Sequence, residues 1–264
     1  MRPDYALRGK TVVLTGAGGG IGQALARAFA AQGVRLLLVD RASAAPALAA
    51  LAAELALLTT VEQAVCDLND DVAVAALAAA LAERWGVVDV LVNNAGTEYP
   101  TPLTDQSPDA MGRWAALLDN NVSSMVRLTR ALLPQMPAGA SVINQSSIWG
   151  KSGVAGFSAY VASKHAVLGV TRSLAWELGE RGIRVNAVCP GWIRTEAAMR
   201  SLSAMAREQG RSEAELEHEL LARQACPRML APEDIAGVYL FLASADAGPL
   251  TGQALVASHG VVMN

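Results

Sequence analysis

Tyr160 and Lys164 stand four residues apart in Ser158-Ala159-Tyr160-Val161-Ala162-Ser163-Lys164. In a helix that spacing places a phenol and an ammonium on one face. A phenol ionises near pH 10. A cation roughly 5 Å away, at an effective dielectric of about 20, favours the phenolate by about 3 kcal/mol, or about two pKa units before desolvation is counted against it. The pair is therefore expected to bring Tyr160 into proton exchange near neutral pH, with the Ser147 hydroxyl upstream. Y-x-x-x-K also recurs in helices that do no chemistry, so the reading depends on what the chain places around it.

A second group of residues has the chemistry to hold a dinucleotide. Thr15-Gly16-Ala17-Gly18-Gly19-Gly20-Ile21-Gly22 follows a short apolar run, Thr11 to Leu14, and leads into an apolar-periodic segment that stops at Gly33. Glycines there allow a tight turn and close approach of backbone to a pyrophosphate, which the helix N-terminus stabilises. The next apolar run, Val34 to Val39, ends in Asp40, 18 residues after Gly22 and near the spacing at which a carboxylate meets an adenosine ribose. Asp40 favours NAD, since it accepts from a free 2′-hydroxyl and repels a 2′-phosphate. Arg41 can hold such a phosphate, stack on adenine or point into water. NAD is expected, with NADP second. Asp67, past the following strand, can accept from the adenine amino group or cap the helix near Asp70-Asp71.

The elements that must position these groups alternate. Strand patterns at Thr11 to Leu14, Val34 to Val39, Thr60 to Val65, Val87 to Val92, Ser141 to Gln145 and Ile183 to Val188 are separated by helical segments. Those segments include Ala42 to Leu58, Val72 to Trp85, and a long helix or two joined segments from Asp109 to Met136. Asn120 and Asn121 inside the last need specific amide partners there. Strand ends carrying Gly, Asp, Asp and Asn-Asn describe an α/β fold, one parallel doubly wound sheet with its ligand along the carboxyl edge. No linker or repeat divides the 264 residues.

Composition narrows the class. The formal net charge of -3 gives no support to nucleic-acid binding. Met1-Arg2-Pro3-Asp4-Tyr5 leads into a strand pattern without an apolar signal segment, and no uncharged apolar run reaches membrane-spanning length. Cys66, Cys189 and Cys226 are widely separated and are read as buried thiols of a reducing cytoplasm, not as a metal site or disulfide framework.

These residues together resemble the classical short-chain dehydrogenase/reductases over nearly the whole chain. Thr15 to Gly22 is similar to that family's T-G-x-x-x-G-x-G loop, Asn93 to Gly96 to its N-N-A-G element, and Asn121, Ser147, Tyr160 and Lys164 to its catalytic tetrad. Pro190-Gly191 with Thr195 resembles its P-G-x-x-x-T turn, and Arg228 to Ala236 its late helix entry. The resemblance implies a single Rossmann-type domain of about seven strands with helices on both faces, a homotetramer, and hydride transfer between a nicotinamide and a carbonyl or secondary alcohol. It assigns Tyr160 as general acid/base, Lys164 to tuning it and binding ribose hydroxyls, Ser147 to the substrate oxygen, and Asn121 to a water that relays protons. It places Gly16, Gly20, Ile21, Gly22, Asp40, Arg41, Asp67, Leu68, Asn94, Ala95, Gly96, Pro190, Gly191, Ile193 and Thr195 at the cofactor, with Asn93 and Gly96 beside its ribose. Thr195 is otherwise an ordinary helix cap.

Substrate-pocket candidates are Glu98, Tyr99, Trp149, Phe157 and Trp192. Rings favour an apolar or ring-faced substrate and Glu98 a hydroxyl or ammonium, so a neutral polyol, cyclic alcohol or ketone is expected. Lys151 and Arg194 keep a hydroxy acid open. A carrier-bound 3-oxoacyl thioester with NADPH, and a nonenzymatic NAD-binding protein, are the competing readings. The insert from Glu196 to Arg223, interrupted at Gly210, suggests a mobile helical lid or a solvated helix pair. His165 and His218 read as structural. His259, in a Ser258-His259-Gly260 ending that departs from the family's usual D-G-G, reads as a solvated surface residue.

Overall fold

Short apolar runs become the strands β1 (Thr11–Thr15), β2 (Arg35–Asp40), β3 (Val61–Val65), β4 (Val90–Asn93), β5 (Ser141–Gln145), β6 (Arg184–Pro190) and β7 (Ala254–Ala257) of a computed structural model that describes residues 4–263, Glu208 by its backbone alone. Met1 to Pro3, part of the stretch read as lacking a signal segment, lie outside the described residues, as does Asn264. The strands form one parallel sheet in the order β3-β2-β1-β4-β5-β6-β7. All residues of β1 and β4 are buried, as continuous apolar runs with covered faces require. The order reverses at β1, which pairs with β2 on one side and β4 on the other. That reversal opens a crevice beyond the carboxyl ends of the strands.

The helices are α1 (Gly20–Ala30), α2 (Ala45–Leu55), α3 (Asp71–Arg84), α4 (Ala110–Leu118), α5 (Ser124–Leu132), α6 (Ser158–Gly179), α7 (Glu196–Gln209), α8 (Glu213–Ala222) and α9 (Pro232–Ala243). Two cores form on the two sheet faces, and β1 supplies both by the strand period of two. Val12 and Leu14 join Phe29 of α1, Leu48 of α2 and Tyr239 of α9. Val13 joins Leu81 of α3, Leu128 and Leu132 of α5 and Leu178 of α6.

Several boundaries differ from the sequence reading for local reasons. The helix expected from Ala42 starts after a 3₁₀ turn at Ala42–Ala44, because Pro46 fits only a helix's first turn. The long segment from Asp109 divides into α4 and α5 around a π-turn, Asp119–Ser123. The fourth strand begins at Val90, since Asp89 turns its carboxylate to Lys10 Nζ and the Thr11 amide, 2.9 and 2.8 Å away. α7 stops at Gly210, whose φ of +61° is the left-handed conformation glycine favours. α8 then begins with a capping box between Ser212 and Glu215. The two helices share a small core of Leu202, Ala206 and Leu216, separate from the sheet cores.

Cys66 and Cys189 are buried, but Cys226 is exposed, which corrects the expectation of three buried thiols. His165 bonds to the Val161 carbonyl in its own helix. His259 is not merely solvated: half-buried in a left-handed backbone conformation, its Nδ1 lies 2.8 Å from the Arg228 carbonyl and pins the C-terminal hook. Among the described residues no helix is long and apolar enough to cross a membrane, and no group of three His, Cys, Asp or Glu could hold a metal.

Candidate active site

A single cleft of about 1330 Å³ runs along the carboxyl edge of the sheet. It gathers Gly16, Gly20, Ile21, Gly22, Asp40, Arg41, Asp67, Leu68, Asn94, Ala95, Gly96, Pro190, Gly191, Ile193 and Thr195 at one side, with Ser147, Tyr160 and Lys164 and the pocket candidates Glu98, Tyr99, Trp149, Phe157 and Trp192 beside them. Asn121, Lys151 and Arg194 do not line it. Arg194 is turned aside by an ion pair with Glu217 of α8.

Tyr160 and Lys164 lie one turn apart on α6, with Lys164 Nζ 5.5 Å from the phenol ring centroid. Nζ donates to the Gln145 carbonyl at 3.0 Å, and Lys164 is 3% exposed. Its backbone is set from behind. Ser146 Oγ donates to the Lys164 carbonyl at 2.9 Å, and a Cβ on Gly150 would stand 2.7 Å from that same carbonyl oxygen. Gly150 thus lets the turn after β5 pack against α6, a role that the sequence reading missed although the glycine follows Ser147 by three residues.

The balance of charge at the phenol differs from expectation. Burial pushes Tyr160 well above its ordinary value, the Glu98 carboxylate pushes it further, and a hydrogen bond with Ser147 only partly offsets them. Burial also lowers Lys164 to about 8, against Glu98 and Cys189, which favour its charged form. Desolvation and Glu98 together therefore outweigh the Ser147 hydrogen bond at the phenol. Glu98 itself, reached by solvent in the cleft yet surrounded by protein, is pushed up by desolvation, with Ser201 and Lys164 pulling it down.

Asn121 is a clamp. Its Oδ1 accepts from the Thr97 amide at 2.8 Å and its Nδ2 donates to the Thr97 carbonyl at 2.9 Å and to Ser163 Oγ at 3.1 Å. With Asn120 Nδ2 also on Oδ1, the amide is committed to protein on both sides, and the side chain ties the loop after β4 to α6. The π-turn is the local widening that carries it. Asn93 is likewise structural: it donates to Asn144 Oδ1 and Thr129 Oγ1 inside the sheet and does not line the cleft.

Three further assignments resolve. α3 is capped by Asp70, which accepts from Val72 and Ala73, while the Asp67 carboxylate accepts from the Asn69 amide and still lines the cleft. Thr195 caps α7 through the Ala198 amide at 3.2 Å and also sits against the glycine loop. The Tyr99 hydroxyl is spent on the Arg113 carbonyl, so Tyr99 offers the cleft no free hydroxyl.

The residues present fit a dinucleotide. A Cβ on Gly22 would stand 2.1 Å from the Gly16 carbonyl oxygen, so only hydrogen fits there, and one on Gly20 would stand 2.9 Å from Thr195 Cγ2 and force that side chain to shift. α1 begins without a side-chain cap or an acid in its first turn, which leaves its N-terminal amides for an anion. Asn94 spans the edge to Thr15 and Gly16 through Nδ2, and its buried Oδ1 has no partner among the described residues, leaving an acceptor for a ribose hydroxyl.

A family model described as enoyl-(acyl carrier protein) reductase matches residues 16–262. The chain belongs to the short-chain dehydrogenase/reductase family. It is 32% identical to D-beta-hydroxybutyrate dehydrogenase of Rhizobium meliloti, covering 92% of this chain and 95% of that protein. It is 36% identical to a probable galactose dehydrogenase of the same organism, covering 98% and 96%. The crystal structure of L-sorbose reductase from Gluconobacter frateurii, complexed with NADPH and L-sorbose, superposes with a TM-score of 0.89 at 26% identity, covering 99% of this chain and 100% of that one. This short-chain dehydrogenase/reductase is an NAD(P)-dependent oxidoreductase that interconverts secondary alcohols and carbonyls.

Proposed function

We propose that the protein oxidises a neutral secondary alcohol, a polyol or cyclic alcohol, or reduces the matching ketone, with NAD(H) ahead of NADP(H). The observation that carries this reading is the convergence of Ser147, Tyr160 and Lys164 on a cleft walled by rings. Trp149 packs against Phe157, Tyr160 and Trp192 with centroids 5.4, 5.8 and 6.2 Å apart. Lys151 and Arg194 do not line that cleft, and Arg200, which does, is paired with Glu196, so a hydroxy acid finds little free positive charge beside the rings. The sugars in the names of the galactose and sorbose relatives support a polyhydroxylated substrate; the hydroxybutyrate relative names an acid.

Bound nicotinamide supplies or takes the hydride. Tyr160 takes the alcohol proton in oxidation and returns it to the carbonyl oxygen in reduction. Ser147 donates a hydrogen bond to that oxygen, where negative charge develops. Lys164 holds the ribose hydroxyls and opposes loss of a proton from itself only weakly, so it can pass protons on from the phenol. Asn121 keeps the Thr97 loop and α6 in register. Asp40 receives the adenosine ribose: its Oδ2 already accepts from the Gly18 amide at 2.9 Å, which fixes the carboxylate at the loop. Arg41 beside it is the residue through which NADP(H), the cofactor named with the sorbose reductase, would be tolerated. The α7–α8 pair acts as the lid over the substrate. A cytoplasmic homotetramer completes the reading; the exposed Met111 of α4 and Trp176 of α6 support contact between subunits.

The test is turnover of a panel of polyols, cyclic alcohols and hydroxy acids with each cofactor, alongside Tyr160→Phe. NAD(H) should give the higher kcat/KM. The variant should lose several orders of magnitude in kcat with NAD affinity nearly unchanged, and wild-type turnover by it would refute the role given to the phenol.

A further inference from the structure

Glu98 lines this cleft together with its rings, and the protein gives its carboxylate no cation as an ion-pair partner among the described residues. The loop that carries it is fixed one residue earlier, where Asn121 binds both backbone groups of Thr97. Its carboxylate has one hydrogen-bond donor among the described residues, Ser201 Oγ of α7, at 3.4 Å, the far end of the range. Among the described residues no Lys, Arg or His lies within ion-pair distance of it. A carboxylate can accept about four hydrogen bonds, so nearly all of that capacity faces the cleft unused. Glu98 is exposed in the open cleft, so solvent meets that capacity until a substrate that covers the site supplies donors in its place.

The position decides which donors. Glu98 shares the cleft with Tyr160, Lys164, Trp149 and Trp192, close enough to raise the phenol and to favour the charged lysine. Lys164 would draw an anionic substrate toward the reacting centre, while Arg200, which also lines the cleft, is paired with Glu196. A carboxylate of opposite sign in the same cleft cancels that attraction and repels an acid approaching it. A second hydroxyl or an ammonium on the substrate, by contrast, can donate to Glu98 while the reacting hydroxyl lies on Ser147 and Tyr160.

We propose that Glu98 is the specificity-determining residue of this site: it binds a second hydroxyl, or an ammonium, of a polyol or amino alcohol, excludes carboxylate substrates, and is steered by Ser201 of the α7 helix. This rests on the dehydrogenase reading above and names the substrate class within it. A site built to hydrogen-bond a substrate group discriminates strongly against analogues that lack it, because its own polar atom is then left unpaired.

The experiment compares Glu98→Gln and Glu98→Ala with wild type on three probes: a cyclic vicinal diol, the corresponding cyclic mono-alcohol and 3-hydroxybutyrate. The readout is the ratio of kcat/KM values within each enzyme, which cancels any general effect on the phenol. The wild type should prefer the diol over both others. Glu98→Ala should lower the diol to mono-alcohol ratio about tenfold or more. Glu98→Gln, which keeps an acceptor but no charge, should retain most of that ratio and raise the hydroxybutyrate to mono-alcohol ratio about tenfold. Titration calorimetry of the diol onto the cofactor-loaded Tyr160→Phe protein, with and without Glu98→Ala, should show the matching loss in affinity. Ratios that stay within twofold of wild type in both variants overturn the assignment of Glu98 and leave the dehydrogenase reading standing. Failure of the wild type to turn over any probe or any member of the wider panel overturns that reading, and the assignment with it.

Discussion

Lys164 sits at 3% exposure and, among the described residues, its ammonium has one hydrogen-bond acceptor, the Gln145 carbonyl, and no carboxylate in ion-pair range, which has a measurable consequence. Its folded pKa of about 8 lies below the ordinary lysine value of 10.5, so the buried charge opposes folding. Below pH 8 the lysine is protonated folded and unfolded, and the full burial cost is present. Between pH 8 and 10.5 the folded form releases the proton first and the cost is relieved. Lys164→Met should therefore unfold at higher denaturant than wild type below pH 8, by at most on the order of 3 kcal/mol, while losing turnover. The advantage should shrink as pH rises from 8 to 10.5, and an advantage that grew over that range would contradict the assignment. Glu98 gives a second test. It raises Tyr160, so Glu98→Gln should move the acid limb of the alcohol-oxidation profile to lower pH, because the phenolate then forms more easily. A limb that moves to higher pH would mean that the carboxylate acts on the phenol in the opposite sense. The four-residue spacing made the Tyr160–Lys164 pair legible in sequence, but its electrostatic order was not, since burial and the approach of Glu98 depend on loops that no periodicity describes.

The glycine loop, β2 and the strand ends were readable because each obeys a local rule: a glycine where no Cβ fits, a continuous apolar run, a polar residue at a carboxyl terminus. Gly22→Ala puts that rule to the test. Its Cβ would press 2.1 Å from a backbone oxygen of the same loop, which cannot turn away. Thermal unfolding should show a loss of about 1–3 kcal/mol, and NAD affinity should fall about a hundredfold, as judged by fluorescence titration. Retained affinity would mean that the loop does not hold the pyrophosphate. Caps were less legible. Asp67, Asp70 and Asp71 lie within five residues, and only the fold shows that Asp70 accepts from Val72 and Ala73. Asp70→Ala should cost about 1 kcal/mol in chemical denaturation with little effect on turnover, whereas Asp67→Ala should change cofactor affinity more than stability. The Asn121 turn was flagged by an asparagine pair inside a helix, yet which of the two amides clamps Thr97 depends on the extra residue of the π-turn.

At the scale of the molecule, the parallel sheet and its two cores followed from alternating strand and helix patterns, with only β7 and the ends of elements left to tertiary packing. The α7–α8 pair is of another kind. It is organised around Leu202, Ala206 and Leu216, with Met199, Met205 and Leu220 packed beside them, and this small cluster is distinct from both sheet cores. Few apolar side chains thus bind the pair to the body, while its polar ties are the exposed Arg194–Glu217 ion pair and the long Ser201–Glu98 hydrogen bond. Exposed ion pairs contribute about 0–1 kcal/mol, so these ties hold the pair only weakly. Local opening free energies track such differences in buried apolar contact. Amide hydrogen exchange should accordingly show α7 and α8 exchanging orders of magnitude faster than β1, β4 and β5. Bound NAD(H) stabilises whatever it touches by mass action, about 2.7 kcal/mol at a hundredfold excess over Kd. Thr195 and Glu196 through Ala198 line the cleft at the start of α7, so cofactor alone should slow exchange there. Slowing that reaches Ser201 and α8 only when a polyol is added as well would identify the pair as a lid closed by substrate. Equal protection of α7–α8 with and without ligand would make it a fixed wall.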